Sequence, residues 1–221
     1  MPRAERERQM MAAAVRTFGR RGYRAASMDE IAELAGVSKP LVYLYLNSKE
    51  ELFTACVRQE AAALLAAVEA GVDPGQPADR QLWSGLTAFF SHTAEHPDGW
   101  VVLNRQARTQ GEPFAGEVAG LRDELVALVA GLIAAAAREA RAACPASAGS
   151  GPADLAGREL PGQDLTGLAQ ALVGAAESLA GWANETPGVS PEEAAATLMN
   201  FAWTGLGNLL DGERWPPPSA R

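Results

Sequence analysis

The feature that most constrains the fold is the segment of residues 27–52, which reads SMDEIAELAGVSKPLVYLYLNSKEEL. Ser27, followed three residues later by Glu30, is typical of a helix N-terminus, where the two side chains cap free N–H groups. Gly36 stands directly after the apolar residues of that helix, where a helix end needs a residue that tolerates positive φ. Ser38 then begins a second short helix. The segment therefore predicts a helix-turn-helix, whose second helix enters the DNA major groove.

A long helix is predicted directly after this motif. Ser48 and Glu51 repeat the capping-box spacing and mark its start. Cys56 falls on the apolar side of this helix and is most simply a small core residue. With Cys144 in a loop, the two cysteines of the chain cannot build a disulfide framework.

Together these residues resemble the DNA-binding domain of the tetracycline-repressor (TetR) family of transcription regulators. The resemblance covers roughly residues 3–56. It is carried by Phe18, Gly22-Tyr23, Ile31-Ala32, Ala35-Gly36-Val37-Ser38, Tyr43, Tyr45-Leu46 and Ser48-Lys49-Glu50-Glu51-Leu52. The resemblance implies a homodimeric, ligand-responsive regulator, usually a repressor, that a small and largely apolar effector releases from a palindromic operator.

The composition predicts an all-α fold. Hydrophobic residues make up 48% of the chain, Ala and Leu dominate them, and β-branched runs are few. We expect about nine helices, arranged as an N-terminal three-helix helix-turn-helix domain and a C-terminal helical ligand-binding and dimerisation bundle. We place the DNA-binding domain at residues 1–48 and the effector-binding and dimerisation domain at residues 49–221. Helix 4, about residues 49–70, links the two.

Apolar periodicity and breaker residues place the individual helices. Besides the motif, helices are predicted at about residues 3–21, 48–70, 78–95, 114–143 and 165–184, with a further helix beginning at Pro97. A long loop is predicted over residues 144–164. Ser190 is predicted to cap the last helix, with Pro191 in its first turn and Glu193 completing a capping box.

The charge distribution separates the N-terminal part from the rest. The whole chain carries a net charge of −8, which alone argues against a nucleic-acid-binding protein. Residues 1–60 hold ten Lys or Arg and eight Asp or Glu and so carry +2, whereas residues 61–221 hold nine and nineteen and carry −10. An acidic body repels DNA everywhere except at the reading face. We therefore expect few phosphate contacts per subunit.

Candidate DNA contacts lie on the second helix of the motif and its flanks. Lys39, in the first turn, can donate to guanine O6 and N7. For Ser27 and Ser38, helix capping alone is an equally good interpretation. The predicted set comprises the base-reading Lys39, the thymine-methyl contacts Pro40 and Leu41, the phosphate contacts Tyr43, Tyr45 and Lys49, and the helix N-terminal residues Ser27 and Ser38.

Aromatic and polar residues of the second domain form a candidate effector site. An apolar pocket with a few polar groups is the usual form of a small-molecule site, although aromatic residues at helical spacing are also typical of an ordinary core. The predicted ligand-binding residues are Trp83, Phe89, Phe90, His92, His96, Trp100, Asn104 and Trp182. The two histidines have the i, i+4 spacing that can hold zinc. No third ligand is evident, so neither a metal nor another cofactor is predicted.

A homodimer is expected because one recognition helix reads only a few base pairs, and small residues on the last two helices mark its candidate interface. They would permit close approach, with Trp203 as an anchor, and they comprise Gly174, Ala175, Ala176, Gly181, Gly205 and Gly207. Two recognition helices about 34–36 Å apart would read a palindrome of double-stranded DNA. The alternative is that these small residues only reflect the composition of the genome.

Other classes of function are less well supported by the residues. The glycines fit no nucleotide-binding pattern and no catalytic constellation is evident, so an enzyme is not predicted. The chain shows no signal peptide and no apolar run of about 18 residues, so we expect a cytoplasmic protein without a membrane partner. The alternative functions are a helical small-molecule-binding protein or enzyme with a vestigial helix-turn-helix, and a nonspecific architectural DNA-binding protein.

Overall fold

The computed structural model describes residues 3–45, 48–143 and 162–210, and within them it contains helices and no strand. In chain order the helices are α1 (Arg3–Arg21), α2 (Met28–Leu34), α3 (Lys39–Tyr45), α4 (Lys49–Gly71), α5 (Ala78–Glu95), α6 (Pro97–Val101, continued by a π-helix Val102–Ala107 and a short α-helical end Arg108–Gln110), α7 (Phe114–Ala143), α8 (Gly162–Glu185) and α9 (Pro191–Leu210). The predicted all-α fold is confirmed. None of these described helices combines the length and hydropathy that crossing a bilayer requires.

By packing, the chain divides into two compact units. The first comprises Met1–Val68 and Ser91–Glu124, and the second comprises Glu69–Phe90 and Leu125–Arg221. Helices α4, α5 and α7 each contribute residues to both units. These are units of packing, so the functional boundary between residues 48 and 49 stays a prediction.

An aromatic cluster forms the centre of the first unit. Phe18, Tyr23, Phe53 and Phe114 pack with ring-centroid separations of 4.8–6.0 Å. Phe18 and Phe53 are fully buried, and burial of one such ring stabilises the fold by about 1.5–3 kcal/mol. The cluster ties α1, the turn after it, α4 and the start of α7 to one another.

The second unit is held by apolar faces of four helices. Its buried residues include Leu82, Leu86, Phe89 and Phe90 of α5, Val126, Leu132 and Ile133 of α7, Leu172 and Val173 of α8, and Ala194, Ala195 and Leu198 of α9. The Glu139 carboxylate accepts hydrogen bonds of 3.0 and 3.2 Å from the Ala78 backbone N–H. A side chain of α7 thereby satisfies one of the free donors at the start of α5.

Local capping signals agree well with the structure. Ser190 N–H donates to the Glu193 carboxylate at 2.8 Å, and Glu193 N–H donates to the Ser190 hydroxyl at 3.1 Å, so the predicted capping box is confirmed.

The start of α8 was predicted wrongly. It begins at Gly162 and not at residue 165, because Asp164 favours the positive end of a helix and lets the helix start among residues with loop-like composition.

The predicted loop and some residues of the predicted dimer interface lie partly outside the described residues. The predicted loop lies outside the described residues over 144–161, and its last residues, 162–164, are helical. Gly205 and Gly207 of the predicted dimer interface lie in α9, at positions whose side-chain environment is outside the description. Ala176, of the same set, is buried within the chain itself, so it is core and is not free to contact a partner.

Candidate nucleic-acid interface

The N-terminus of α2 is fixed by Ser27. Its backbone is extended, with φ −117° and ψ 143°, and its hydroxyl oxygen accepts the Glu30 N–H at 3.1 Å. The Glu30 carboxylate accepts a hydrogen bond of 3.2 Å from Arg21 Nε. The Ser27 side chain therefore caps α2, whereas the Glu30 carboxylate bonds to Arg21. Because the Ser27 hydroxyl oxygen only accepts in this cap, its proton can still be donated to an acceptor such as a phosphate oxygen.

The turn between α2 and α3 is a Schellman motif closed by Gly36. Gly36 has φ +65°, and its N–H donates to the Glu33 carbonyl at 3.0 Å. Val37 N–H donates to the Ala32 carbonyl, also at 3.0 Å. This pair of bonds defines the motif, and the left-handed residue at its centre favours glycine. The predicted positive φ at this position is confirmed.

Helix α3 has one buried side and one exposed side. The Ser38 carbonyl accepts from the Leu41 N–H at 2.9 Å and begins the helix. Val42 is 1% exposed and anchors α3 in the first unit. Lys39, Pro40 and Tyr43 are exposed, and Leu41 is half-buried. The structure thus presents the predicted contact residues of this helix together on the accessible side, while the side chain of Tyr45 lies outside the described residues.

Lys39 is engaged by an acid of the preceding helix. Its ammonium nitrogen lies 2.8 Å from one carboxylate oxygen of Asp29 and 2.9 Å from the other. Both side chains are exposed. The hydrogen bond that Lys39 donates to Asp29 raises the pKa of Lys39 above its ordinary value, so Lys39 is charged at neutral pH. Asp29 was not among the residues predicted from the sequence, although its position in the first turn of α2, two residues after the cap, was a usable signal.

Lys49 is held by the turn between α1 and α2. Its ammonium donates to the Arg24 carbonyl at 3.1 Å and lies 4.9 Å from the centre of the Tyr23 ring. Lys49 therefore has a structural role that the sequence did not reveal. An ammonium has three N–H donors, so contact with a phosphate remains compatible with this arrangement.

Other basic residues of the first unit are paired across helices. Arg20 of α1 lies 3.4 Å from the Asp98 carboxylate of α6, and Arg58 of α4 donates to Glu117 of α7 at 2.9 Å. All four side chains lie at least partly at the surface, where such pairs contribute about 0–1 kcal/mol each. These pairs explain why the first part of the chain, despite its arginines, offers little uncompensated positive charge.

The predicted effector residues of the second unit differ strongly in exposure. Phe89 and Phe90 are buried, with ring centroids 5.3 Å apart in an edge-to-face arrangement. Trp83 is half-buried. Trp182 is 51% exposed. The two phenylalanines are thus core residues of this unit, as the alternative interpretation of the aromatic stripe predicts.

The remaining predicted effector residues lie in the first unit. The ring centroids of His92 and His96 lie 4.5 Å apart. Burial lowers the pKa of His92, the neighbouring His96 lowers it further, and Glu95 opposes the shift. Trp100, in the α-helical part of α6, is buried, and Asn104, in its π-helical part, is half-buried. The described residues contain no cluster of three or more metal-ligating side chains.

A groove of about 450 Å³ opens between α1 and α4. Its lining is Ala4, Glu7, Arg8, Met10, Met11, Ala55 and Gln59. None of the predicted effector residues lines this groove, so it does not bear on the predicted effector site.

Two family profiles match the chain. Residues 10–56 match the family described as bacterial regulatory proteins, tetR family. Residues 78–148 match the tetracyclin repressor-like C-terminal domain. The first match covers the helix-turn-helix described above, and the second covers the whole of α5, α6 and α7.

Individual relatives agree with these profiles. A TetR-like transcriptional regulator from Rhodococcus sp. RHA1, of known crystal structure, is 36% identical, with a TM-score of 0.75 over 94% of this chain and 98% of that one. The regulator EthR of Mycolicibacterium smegmatis is 28% identical over 89% of this chain and 84% of its own length. The transcriptional activator FasR of the same species is 36% identical over 103 residues. These residues make up 47% of this chain and 47% of FasR.

These relatives are DNA-binding transcription regulators and not enzymes. The match to the Rhodococcus protein extends over nearly the whole of both chains, and the helix-turn-helix has the geometry that the motif requires. The chain belongs to the TetR family of bacterial transcription regulators.

Proposed function

We propose that this regulator is a homodimer that represses transcription from a palindromic operator and is released by a small, largely apolar effector. The observation that carries the proposal is the exposed side of α3, where Lys39, Pro40 and Tyr43 are accessible while Val42 anchors the helix. A helix held in this way can enter the major groove without unfolding any part of the first unit. Such a protein acts in the cytoplasm, where bacterial DNA lies.

Each predicted DNA-contact residue has a proposed role. Lys39 leaves Asp29 and donates to guanine, since a surface ion pair is weak and exchangeable. Pro40 and Leu41 contact thymine methyl groups, and Tyr43 donates its hydroxyl to phosphate. The helix N-termini of α2 and α4, at Ser27 and Lys49, supply further phosphate contacts. Ser38 and Tyr45 complete the set.

Two exposed aromatic side chains support dimerisation through α8 and α9. Phe201 of α9 is 78% exposed and Trp182 of α8 is 51% exposed. Large aromatic residues are the common anchors of protein interfaces, and a two-fold dimer buries the same surface on both subunits. Gly181 of α8 has no atom within 4 Å of the place where a Cβ would stand, so this part of α8 is open to a close neighbour.

The effector acts through a difference in affinity between two arrangements of the dimer. Coupling of this kind is typically worth about 1–3 kcal/mol, and it is reciprocal. Helix α4 follows the reading helices directly and would transmit the change. If an effector releases DNA, operator DNA must weaken binding of that effector by the same factor. Equal effector affinity with and without operator would exclude this mechanism.

A gel shift with the DNA upstream of the protein's own gene tests the proposal. Wild-type protein should shift this fragment in the presence of excess unrelated DNA at moderate salt. Lys39→Ala should lose this preference, whereas Arg80→Ala, which removes an exposed cation of the second unit, should keep it. Salt-sensitive binding without sequence preference would indicate a nonspecific architectural protein instead.

A further inference from the structure

The turn between α1 and α2 is held by a side chain of α6. Tyr23 N–H donates to Gln106 Oε1 at 3.2 Å. A Cβ built on Gly22 would lie 3.2 Å from the same oxygen, and Gly22 has φ +79°. The amide of Gln106 therefore lies directly beside the turn, at a place where the backbone conformation and the space both favour glycine.

This turn is joined rigidly to both neighbouring helices. Gly22 N–H donates to the Phe18 carbonyl of α1 at 2.9 Å, and Ala26 N–H donates to the Gly22 carbonyl at 3.1 Å, just before the α2 cap. The Tyr23 ring packs on Phe53 and Phe114 at 4.8 and 5.4 Å. A displacement of the turn is consequently carried to α2, and from α2 through its Schellman turn to α3.

Gln106 itself lies in an unusual part of α6. Residues Val102–Ala107 form a π-helix within an otherwise α-helical segment. Such π turns are rare and are found frequently at functional sites. A π turn holds one residue more than an α turn, so its conversion to α-helix rotates the residues on one side of it by about 100°. Gln106 cannot keep its bond to Tyr23 through a rotation of that size.

We propose that Gln106 is the positioning residue through which the π-helical segment of α6 sets the orientation of the DNA-reading helices. Trp100 and Asn104, which are candidate effector contacts, lie on the same helix within six residues of Gln106. A ligand that touches α6 thus acts on the α1–α2 turn directly, in addition to any route through α4. The inference rests on the proposed function, because it requires that the protein binds DNA.

Reciprocity allows a test that needs no effector. If α6 and the reading helices are coupled, DNA binding must change the conformational equilibrium of the π-helical segment. We would measure hydrogen–deuterium exchange of the full chain, free and with the upstream fragment that the gel shift selects. In wild-type protein, DNA should change exchange of the peptide covering residues 102–107 by about threefold or more.

Three variants separate positioning from a general structural role. Gln106→Met keeps the length of the side chain but removes the accepting oxygen, whereas Gln106→Glu keeps the acceptor. Gln110→Met is the matched control, because Gln110 also lies in α6 and bonds only to the adjacent Thr109 among the described contacts. Loss of one neutral hydrogen bond corresponds to about a two- to tenfold change in an equilibrium, which is the expected loss of DNA affinity in Gln106→Met.

The expected pattern is specific to Gln106. Gln106→Met should lose the response of residues 102–107 to DNA and should exchange the Tyr23 amide faster, while Gln106→Glu and Gln110→Met behave as wild type. A response that persists in Gln106→Met, even with lowered thermal stability, would overturn the inference and leave the proposed function intact. If no fragment binds in the gel shift, the proposed function fails first, and this inference falls with it.

Discussion

The Lys39 ammonium and the Asp29 carboxylate lie 2.8 Å apart, so the cation at the start of the reading helix is paired with an acid of the preceding helix. If Lys39 contacts a base, as we propose, DNA must compete with Asp29 for the Lys39 ammonium. Both side chains are exposed, so breaking the ion pair between them costs little free energy. In the proposed binding mode, the Asp29 carboxylate also places a negative charge beside the surface that would approach phosphate, where it would oppose binding to unrelated DNA.

Asp29→Asn should raise affinity for unrelated DNA by about three- to tenfold and affinity for the operator by less, so that selectivity falls. The reason is that the substitution frees Lys39 and removes a charge that repels phosphate. Fluorescence anisotropy titrations with both DNAs at three salt concentrations measure this effect. Asp79→Asn, which removes an exposed acid of the second unit, is the control. Unchanged affinity for both DNAs would show that Asp29 does not restrain Lys39.

Lys49→Ala should have two separable effects. Loss of the Arg24 and Tyr23 contacts should lower the free energy of unfolding by about 1 kcal/mol. If Lys49 also binds phosphate, the slope of log affinity against log salt should become shallower by about 1 unit. Urea unfolding measures the first effect and anisotropy titration the second. A lower stability with an unchanged slope would assign Lys49 to the structure of the turn alone.

Gly22→Ala and Gly36→Ala form a matched pair. Both glycines have positive φ, but a Cβ at Gly22 would press on Gln106 whereas a Cβ at Gly36 would meet no atom within 4 Å. Each substitution should lower the free energy of unfolding by about 1–2 kcal/mol through backbone strain, and Gly22→Ala should be the more destabilising. Urea unfolding of both variants checks this order. The additional loss of unfolding free energy in Gly22→Ala should disappear when Gln106→Ala is combined with it. Equal losses of unfolding free energy in Gly22→Ala and Gly36→Ala would contradict the close contact between residue 22 and Gln106.

The stability of the protein should fall as pH drops below about 6.5, the ordinary pKa of histidine. The pKa of His92 is lowered in the folded state, chiefly by burial. The unfolded chain therefore binds a proton that the folded chain resists, and stability rises with pH across this window. Thermal unfolding at pH 5.5 and 7.5 measures the effect, and His92→Gln should reduce the difference. An identical pH dependence in that variant would show that His92 is not the group responsible.

Sequence alone predicts the features that depend on neighbouring residues. Ser27, Gly36 and the Ser190–Glu193 box are recognisable because each cap is completed within a few residues of itself. The apolar periodicity that predicts the helices is likewise a local property of the sequence.

Features that depend on distant residues were not predictable in this way. Tyr23 and Gln106 are 83 residues apart, and nothing in the local sequence indicates that α6 contains a π turn. The aromatic residues proposed for the effector site illustrate the same limit. Phe90 and Trp182 both fit a helical stripe, yet one is buried and the other is 51% exposed, because exposure is decided by which helix covers each face.

The stoichiometry and selectivity of DNA binding by the full chain test recognition of an operator by a homodimer. Sedimentation of the protein with its upstream fragment, and with a scrambled fragment of equal length, measures both at moderate salt. We expect two chains on each palindromic site and a preference for that site of about 10³ or more. A protein that stays monomeric, or that binds both fragments equally, would contradict this expectation.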